Sequence, residues 1–318
     1  MNLDSEEEGA LYVGCAGGKD TTGTWTVAYE KAPATMAALE LKVAGLRGGH
    51  SGLEIDKGRG NAVKIMNRVL IALGDECGAR IASVNGGNKR NAIPRECLAL
   101  VFVPKAKLDG AKALVSTWNA VARAELKTVE PDLKVTAQDV KKKGSVLKKK
   151  FQKQITQTIS ALPHGVIKMS AEISWLVETS TNVAVLTTAG KKISLATSQR
   201  SSVASEIKEI AQTVKTIFEL GGATVAQGEG YPGWKPDMDS AILKLAKSTY
   251  KQLTGKEPEV KAVHAGLECG IIGEKYPGMD MVSFGPTLEG VHSPDEKIYI
   301  DTVEKYWNFL LAVLKNVK

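Results

Sequence analysis

Residues 38–52 read Ala38-Leu39-Glu40-Leu41-Lys42-Val43-Ala44-Gly45-Leu46-Arg47-Gly48-Gly49-His50-Ser51-Gly52. The alternation over Ala38 to Val43 is that of a strand. The loop after it is rich in glycine, and Asn61 to Leu73 then carries apolar residues at helical spacing, at Val63, Ile65, Met66, Val69, Leu70 and Leu73. Working outward, Ile81 to Val84 and Leu98 to Val103 read as strands on either side of the turn Asn85-Gly86-Gly87-Asn88. A helix over Leu108 to Leu126 and a strand over Leu133 to Gln138 follow. Strand, helix, strand, strand, helix, strand is the order of a ferredoxin-like unit.

A second copy is expected after the first. Phe151 to Leu162 and Ser202 to Glu219 read as helices. Between them lie three short strands, Ile173 to Thr179, Asn182 to Thr188 and Lys192 to Thr197. The segments around Asn91 and Asn182 take similar places in the two copies. A further strand is read upstream, over Thr22 to Tyr29. The turn-rich stretch Gly230-Tyr231-Pro232-Gly233-Trp234-Lys235-Pro236 suits a domain crossing. Beyond it come a helix (Ser240 to Thr254), a strand (Val260 to His264), a helix start at Gly266-Leu267-Glu268-Cys269, a strand (Met279 to Phe284) and a last helix (Thr302 to Lys315). The fold class expected is α/β, a mixed sheet with helices plus an inserted α+β lid of two ferredoxin-like halves. The boundaries read as 1–17 and 233–318 for the layered part and 18–232 for the lid. Asn2-Leu3-Asp4 reads as the end of a buried strand whose earlier residues are missing.

The bulk numbers narrow the classes. A chain of 318 residues can bury a core without disulfides. Its four cysteines form no C-x-x-C pair, which removes a zinc ribbon or redox motif from consideration. Asp4, Glu6, Glu7 and Glu8 occupy the place where a signal peptide would be basic and then apolar. No apolar run reaches the ~20 residues of a membrane span. A cytoplasmic protein with no membrane partner is expected. The net charge of +7 owes much to Lys141-Lys142-Lys143 and Lys148-Lys149-Lys150. Without interleaved aromatics these read as a solvated helix end, and no nucleic-acid partner is expected.

Several residues could carry chemistry. His292, in a loop after a strand, suits a zinc ligand or a surface loop. Asp4 suits a metal ligand or an acidic loop start. His50, among glycines that allow close backbone approach, could donate to a carbonyl gaining charge in hydrolysis. Asn91, Arg95 and Arg200 could hold a substrate carboxylate, or form surface ion pairs. His264 and Glu268 could line the same cleft, His264 being equally well a hydrogen-bonded core histidine. His164 reads as a turn residue.

Eight segments in order resemble the aminoacyl-histidine dipeptidases, also called Xaa-His or cytosol non-specific dipeptidases. They are Asp4-Ser5-Glu6-Glu7-Glu8-Gly9, Gly14-Cys15-Ala16-Gly17-Gly18, Gly48-Gly49-His50-Ser51-Gly52, Asn91-Ala92-Ile93-Pro94-Arg95, Val177-Glu178-Thr179-Ser180, Tyr231-Pro232-Gly233-Trp234, His264-Ala265-Gly266-Leu267-Glu268-Cys269-Gly270 and His292-Ser293-Pro294-Asp295-Glu296. The resemblance implies a dipeptidase with two zinc ions, manganese or cobalt being alternatives, and a homodimer. A zinc-activated water would attack the amide carbonyl of a dipeptide. It implies Asp4 and His292 as ligands of different metals, His50 as the lid histidine that steadies the carbonyl, and Asn182 and Arg200 as lid contacts to substrate. The family's other ligands and its general-base Glu precede the segment matching Asp4. No catalytic residue is therefore assigned here, and the chain is expected to be truncated, to bind zinc weakly and to hydrolyse little. A non-enzymatic lid-type dimerisation or peptide-binding module, and another di-zinc amidohydrolase such as a deacylase, are the competing readings.

Overall fold

The computed structural model describes residues 1–289, 291 and 296–317. In chain order the elements are β1 (Ala10–Cys15), β2 (Gly17–Thr26), β3 (Tyr29–Lys31), β4 (Met36–Ala44), α1 (Ala62–Cys77), β5 (Arg80–Gly86), β6 (Cys97–Pro104), α2 (Leu108–Glu125), β7 (Lys134–Val140), β8 (Ser145–Leu147) and α3 (Lys149–Ala161). There follow β9 (Gly165–Met169), β10 (Val177–Ala189), β11 (Lys192–Ser201), α4 (Ala204–Leu220), β12 (Thr224–Gln227), α5 (Ala241–Thr254), β13 (Glu259–Val263), α6 (Glu268–Lys275), β14 (Leu288–Glu289), β15 (Lys297–Ile298) and α7 (Ile300–Asn316).

Local signals explain the first unit. In β4 Leu39, Leu41 and Val43 are buried on one face of the pleated strand, and Ala38 is buried on the other. Asn61 caps α1 by accepting from the Val63 and Lys64 amides, and Gly78 closes it with φ 70°. The α1 face bearing Val63, Met66, Val69, Leu70 and Leu73 is buried in the main core.

The large sheet runs β12-β2-β11-β10-β5-β6-β4-β7, with β9 also paired to β10. The strand order β7-β4-β6-β5 makes the first ferredoxin-like half, with α1 and α2 as its helices. The order β12-β2-β11-β10 makes the second, with α3 and α4. The halves meet antiparallel at β5 and β10, through the pair Leu186 and Gly86. They are not consecutive copies, as the sequence order suggests. The first half is inserted inside the second, between β2 and α3. A repeat interrupted in this way has no continuous sequence period to reveal it.

Three strand readings change. The segments Ile173 to Thr179 and Asn182 to Thr188 belong mainly to one strand, β10, while Ser170 to Leu176 form a turn closed by Leu176 N–H to Ile173 O, 3.0 Å. β10 is buried on both faces from Val177 to Ala184, and its register shifts between Val183 and Val185, so its alternation is broken. β1, β8, β9, β12, β14 and β15 are additional, and the strand read over Thr22 to Tyr29 is divided between β2 and β3. Met279 to Phe284 forms no ladder strand; Ser283 makes isolated bridges to Asn2 and Tyr12. Asn91 lies in the loop between β5 and β6, whereas Asn182 lies within β10, so their places differ.

The smaller layer has its own core, with Leu11, Val13, Leu243, Val282, Phe284, Phe309 and Val313, around the parallel pair β1 and β13. Leu3 and Asp4 are exposed, which corrects the expectation of a buried strand end. The chain crosses between layers twice, side by side. Cys15 and Trp234 exchange two backbone hydrogen bonds at 2.8 Å, and Gly18 and Tyr231 exchange two more. A Cβ at Gly17 would collide with the Gly233 backbone, so these crossings need glycine. Lys141, Lys142, Lys143, Lys148, Lys149 and Lys150 are all exposed, and the second triplet opens α3 rather than ending a helix.

Candidate functional site

His50 sits on the loop between β4 and α1. Gly48 and Gly49 adopt φ of 67° and 135°, backbone that a β-carbon disfavours. The turn they make pairs His50 with Ala92, and Ser51 N–H donates to Asn91 O at 2.8 Å. The His50 ring is half-buried. Its Nδ1 accepts from the amides of Gly52 and Leu53, each at 3.2 Å. An Nδ1 used as acceptor leaves the proton on Nε2, so the neutral ring presents a donor. Burial, then the nearby Arg200 charge, lowers its pKa and keeps it neutral, against a smaller opposing effect of Glu54.

Arg200, on β11, is 7% exposed. Its Nη1 donates to Tyr231 Oη at 2.8 Å, and its buried Nε has no partner. Among the described residues no carboxylate forms an ion pair with it. His264 stands at the end of β13, and its Nε2 lies 2.7 Å from Ser180 Oγ on β10, joining the two layers. Burial, then Arg200, pushes the His264 pKa down to about 3, so it is neutral at ordinary pH. Thus His50, His264 and Arg200 are brought together, with Ser180 and Tyr231 as partners that the sequence did not single out. Tyr231 lay in a segment read as a crossing and as part of the family resemblance, and Ser180 in another segment of that resemblance, but neither was given a role.

The remaining candidates separate. Asn182 is buried, and its Nδ2 donates to Ala92 O at 2.8 Å and Arg90 O at 3.3 Å, which ties down the Asn91 loop. Its Oδ1 is buried without a partner. Asn91 and Arg95 are exposed and line a groove of about 570 Å³ that also includes His50, Arg47 and Lys89. Glu268 does not join His264: it is exposed at the start of α6 and accepts from Asn2 Nδ2 at 3.2 Å. His164 is more than a turn residue. Its ring lies 3.4 Å from Asn61 Nδ2 and from Val183 N–H, and burial followed by the Lys64 charge lowers its pKa to about 4.

Asp4 is exposed, its amide donating to Asn2 Oδ1 at 3.1 Å. His292 lies outside the described residues. Among the described residues no three His, Cys, Asp or Glu side chains converge as a metal site requires. Of the two residues expected as metal ligands only Asp4 is described, and the described side chains do not by themselves make a two-metal centre.

Gly52 packs where a Cβ would collide with the His264 carbonyl. Gly52→Ala should push the loop outward and loosen the His50 Nδ1 contacts. The expected result is a rise of the His50 titration midpoint toward ordinary histidine, read by NMR, with a fall in the midpoint of thermal unfolding because the collision is with backbone. An unmoved His50 titration would show that the loop does not depend on this contact.

A family profile described as "Peptidase dimerisation domain" matches residues 41–130. The chain is 39% identical over 317 residues to the cytosol non-specific dipeptidase of Escherichia coli (strain K12), covering 100% of this chain and 65% of the relative. It superposes on the crystal structure of aminoacylhistidine dipeptidase from Vibrio alginolyticus with a TM-score of 0.94 and 39% identity, again covering 100% of this chain and 65% of the other. The chain therefore spans about two-thirds of the length of these relatives. Among the described residues no helix is long and apolar enough to cross a membrane.

Proposed function

We propose, from a chain related along its whole length to the aminoacyl-histidine dipeptidases, that this protein supplies the substrate-gripping lid and part of the catalytic layer of a metal-dependent dipeptidase. Residues 18–232 form the lid in this reading, and 1–17 with 233–318 the layer beneath. One observation carries it: a buried arginine without a carboxylate partner stands beside a neutral histidine that offers Nε2–H. A buried cation of this kind calls for a counter-ion. The C-terminal carboxylate of a dipeptide provides one, and Arg200 receives it through Nε and a free Nη. His50 then donates to the amide carbonyl. Asn182 offers Oδ1, and Asn91 and Arg95 edge the groove. His264 positions the β10 side of the pocket, and Glu268 stands further out, beside Asn2. Asp4 and His292 would contribute metal ligands in this reading, and a bound divalent metal would polarise the carbonyl and acidify a water. Zinc is the metal proposed, a homodimer the assembly, supported by the dimerisation-domain match, and the cytoplasm the setting.

The test is calorimetric binding of Ala-His and of its C-terminal amide, followed by hydrolysis assays of Ala-His and β-Ala-His with zinc or manganese. Arg200→Lys should weaken Ala-His about 10- to 100-fold, the worth of a charge-assisted hydrogen-bond pair, and leave the amide unaffected. Equal binding of acid and amide by the original chain would remove Arg200 from the proposed role. Chelator-sensitive turnover supports the enzyme. Binding without turnover favours the second reading, a peptide-binding and dimerisation module.

A further inference from the structure

The loop that carries His50 is held at two levels. At its base, Glu130 is 1% exposed, in the turn between α2 and β7. Its Oε2 accepts the Arg47 amide at 2.8 Å, and its Oε1 accepts the Gly60 amide at 3.0 Å. These two amides flank the His50 segment, so a single carboxylate closes the loop across thirteen residues of chain (47 to 60). The same base is packed tightly. Gly45, at φ 78°, lies against the Asp132 carbonyl, and a Cβ at Gly60 would press on Leu46 and Leu126. Further out, Glu54 takes over. Its Oε2 accepts the His50 amide at 2.8 Å, and its Oε1 pairs with Arg59 Nη2 at 2.6 Å, while Arg59 Nη1 donates to Gly48 O.

A carboxylate is costly to bury unless its oxygens are hydrogen-bonded, and each Glu130 oxygen has one backbone donor. A glutamine could serve only one of these amides, because its other terminal atom is itself a donor. An apolar residue would leave both amides unpaired. A charged acceptor is the one side chain of this length that satisfies both ends of the loop.

We propose that Glu130 is a positioning residue that, through the Arg47 and Gly60 amides, sets the placement of His50 beside Arg200, with Glu54 and Arg59 as the outer brace. The proposal deepens the reading of His50 as a substrate contact and rests on it only where peptide binding is measured.

The test uses the full chain with Glu130→Gln and Glu130→Ala, and exposed Glu209→Gln as the control. Three quantities are read: exchange of the Arg47 and Gly60 amides, the His50 titration by NMR, and the dissociation constant of Ala-His. Both Glu130 variants should speed exchange about tenfold or more, as a lost local hydrogen bond does, Glu130→Ala at both amides and Glu130→Gln at one of them. They should raise the His50 midpoint and weaken Ala-His about tenfold, with the alanine variant the more affected. Glu209→Gln should change none of these. If a Glu130 variant fails to fold, Glu54→Gln is the replacement. It should speed exchange of the His50 amide, which Glu54 accepts, and leave Arg47 and Gly60 protected. A folded Glu130→Ala protein with normal His50 titration and normal amide exchange overturns the proposal, as does a folded Glu54→Gln protein in which the His50 amide exchanges as before. If the original chain does not bind Ala-His at all, the functional reading fails, while the exchange and titration results still decide the role of Glu130.

Discussion

Acidification from pH 6.5 to pH 5 should destabilise this protein steeply, through His264 and His164. His264 titrates near 3 when folded and His164 near 4, against about 6.5 in an unfolded chain. Their folded pKa values are depressed, so the unfolded state binds protons more readily. The stability they allow is fully present above pH 6.5 and is lost as pH falls toward the folded values. Each histidine adds a slope of up to about 1.4 kcal/mol per pH unit within that window. Spread over the window this is on the order of 3 kcal/mol or more for each, against a usual total of about 5–15 kcal/mol. His264 should dominate, because it is more enclosed and faces Arg200. Few carboxylates titrate above pH 5, which isolates the histidines. Urea unfolding at pH 7.5, 6.0 and 5.0 measures the slope, and His264→Asn and His164→Asn should flatten it. The same slope in the double variant would assign the acid sensitivity to other groups.

Trp25→Ala should cost about 3–5 kcal/mol, the usual loss for a large aromatic removed from a packed core. Trp25 is 2% exposed on β2. Its indole N–H donates to Gly221 O at 2.7 Å, and its ring meets Phe218 of α4 edge-on at 5.7 Å. This contact joins residue 25 to residues 218–221, across the whole inserted half. Trp25→Ala and Phe218→Ala together should therefore be less damaging than the sum of the two, by about 0.5–1.5 kcal/mol. Denaturant melts of the two single variants and the double variant test this. A loss below about 1 kcal/mol for Trp25→Ala would mean that β2 is not integral to the second half.

Local order was readable wherever one face of an element is buried. The α1 stripe, the β4 alternation and the glycine loop at 48–52 each announce themselves, because periodicity of 3.6 or 2 and positive-φ glycines are properties of short windows. β10 was misread for the opposite reason. Both of its faces are buried and its central residues are polar, Glu178, Thr179, Ser180, Thr181 and Asn182. Their burial is possible because neighbours in space meet most of their polar atoms, and a window of sequence does not contain those neighbours.

The candidate site divides along the same line. The sequence alone singled out His50, Arg200 and His264 as residue types suited to hydrolytic or carboxylate-binding chemistry, and eight ordered motifs set the family resemblance. Tertiary structure decided which of them meet. It brought Arg200 from β11, Ser180 from β10 and His264 from the end of β13 to one place, sent Glu268 toward Asn2, and used the side-chain amide of Asn182 to hold a loop. It also assigned Glu130 to the base of the His50 loop, where no motif marked it. Sequence determines what each side chain is able to do and which short segments curl or extend. Pairings across 70 to 250 residues depend on sheet order and on an inserted half, and only the folded chain establishes which buried donor finds which acceptor.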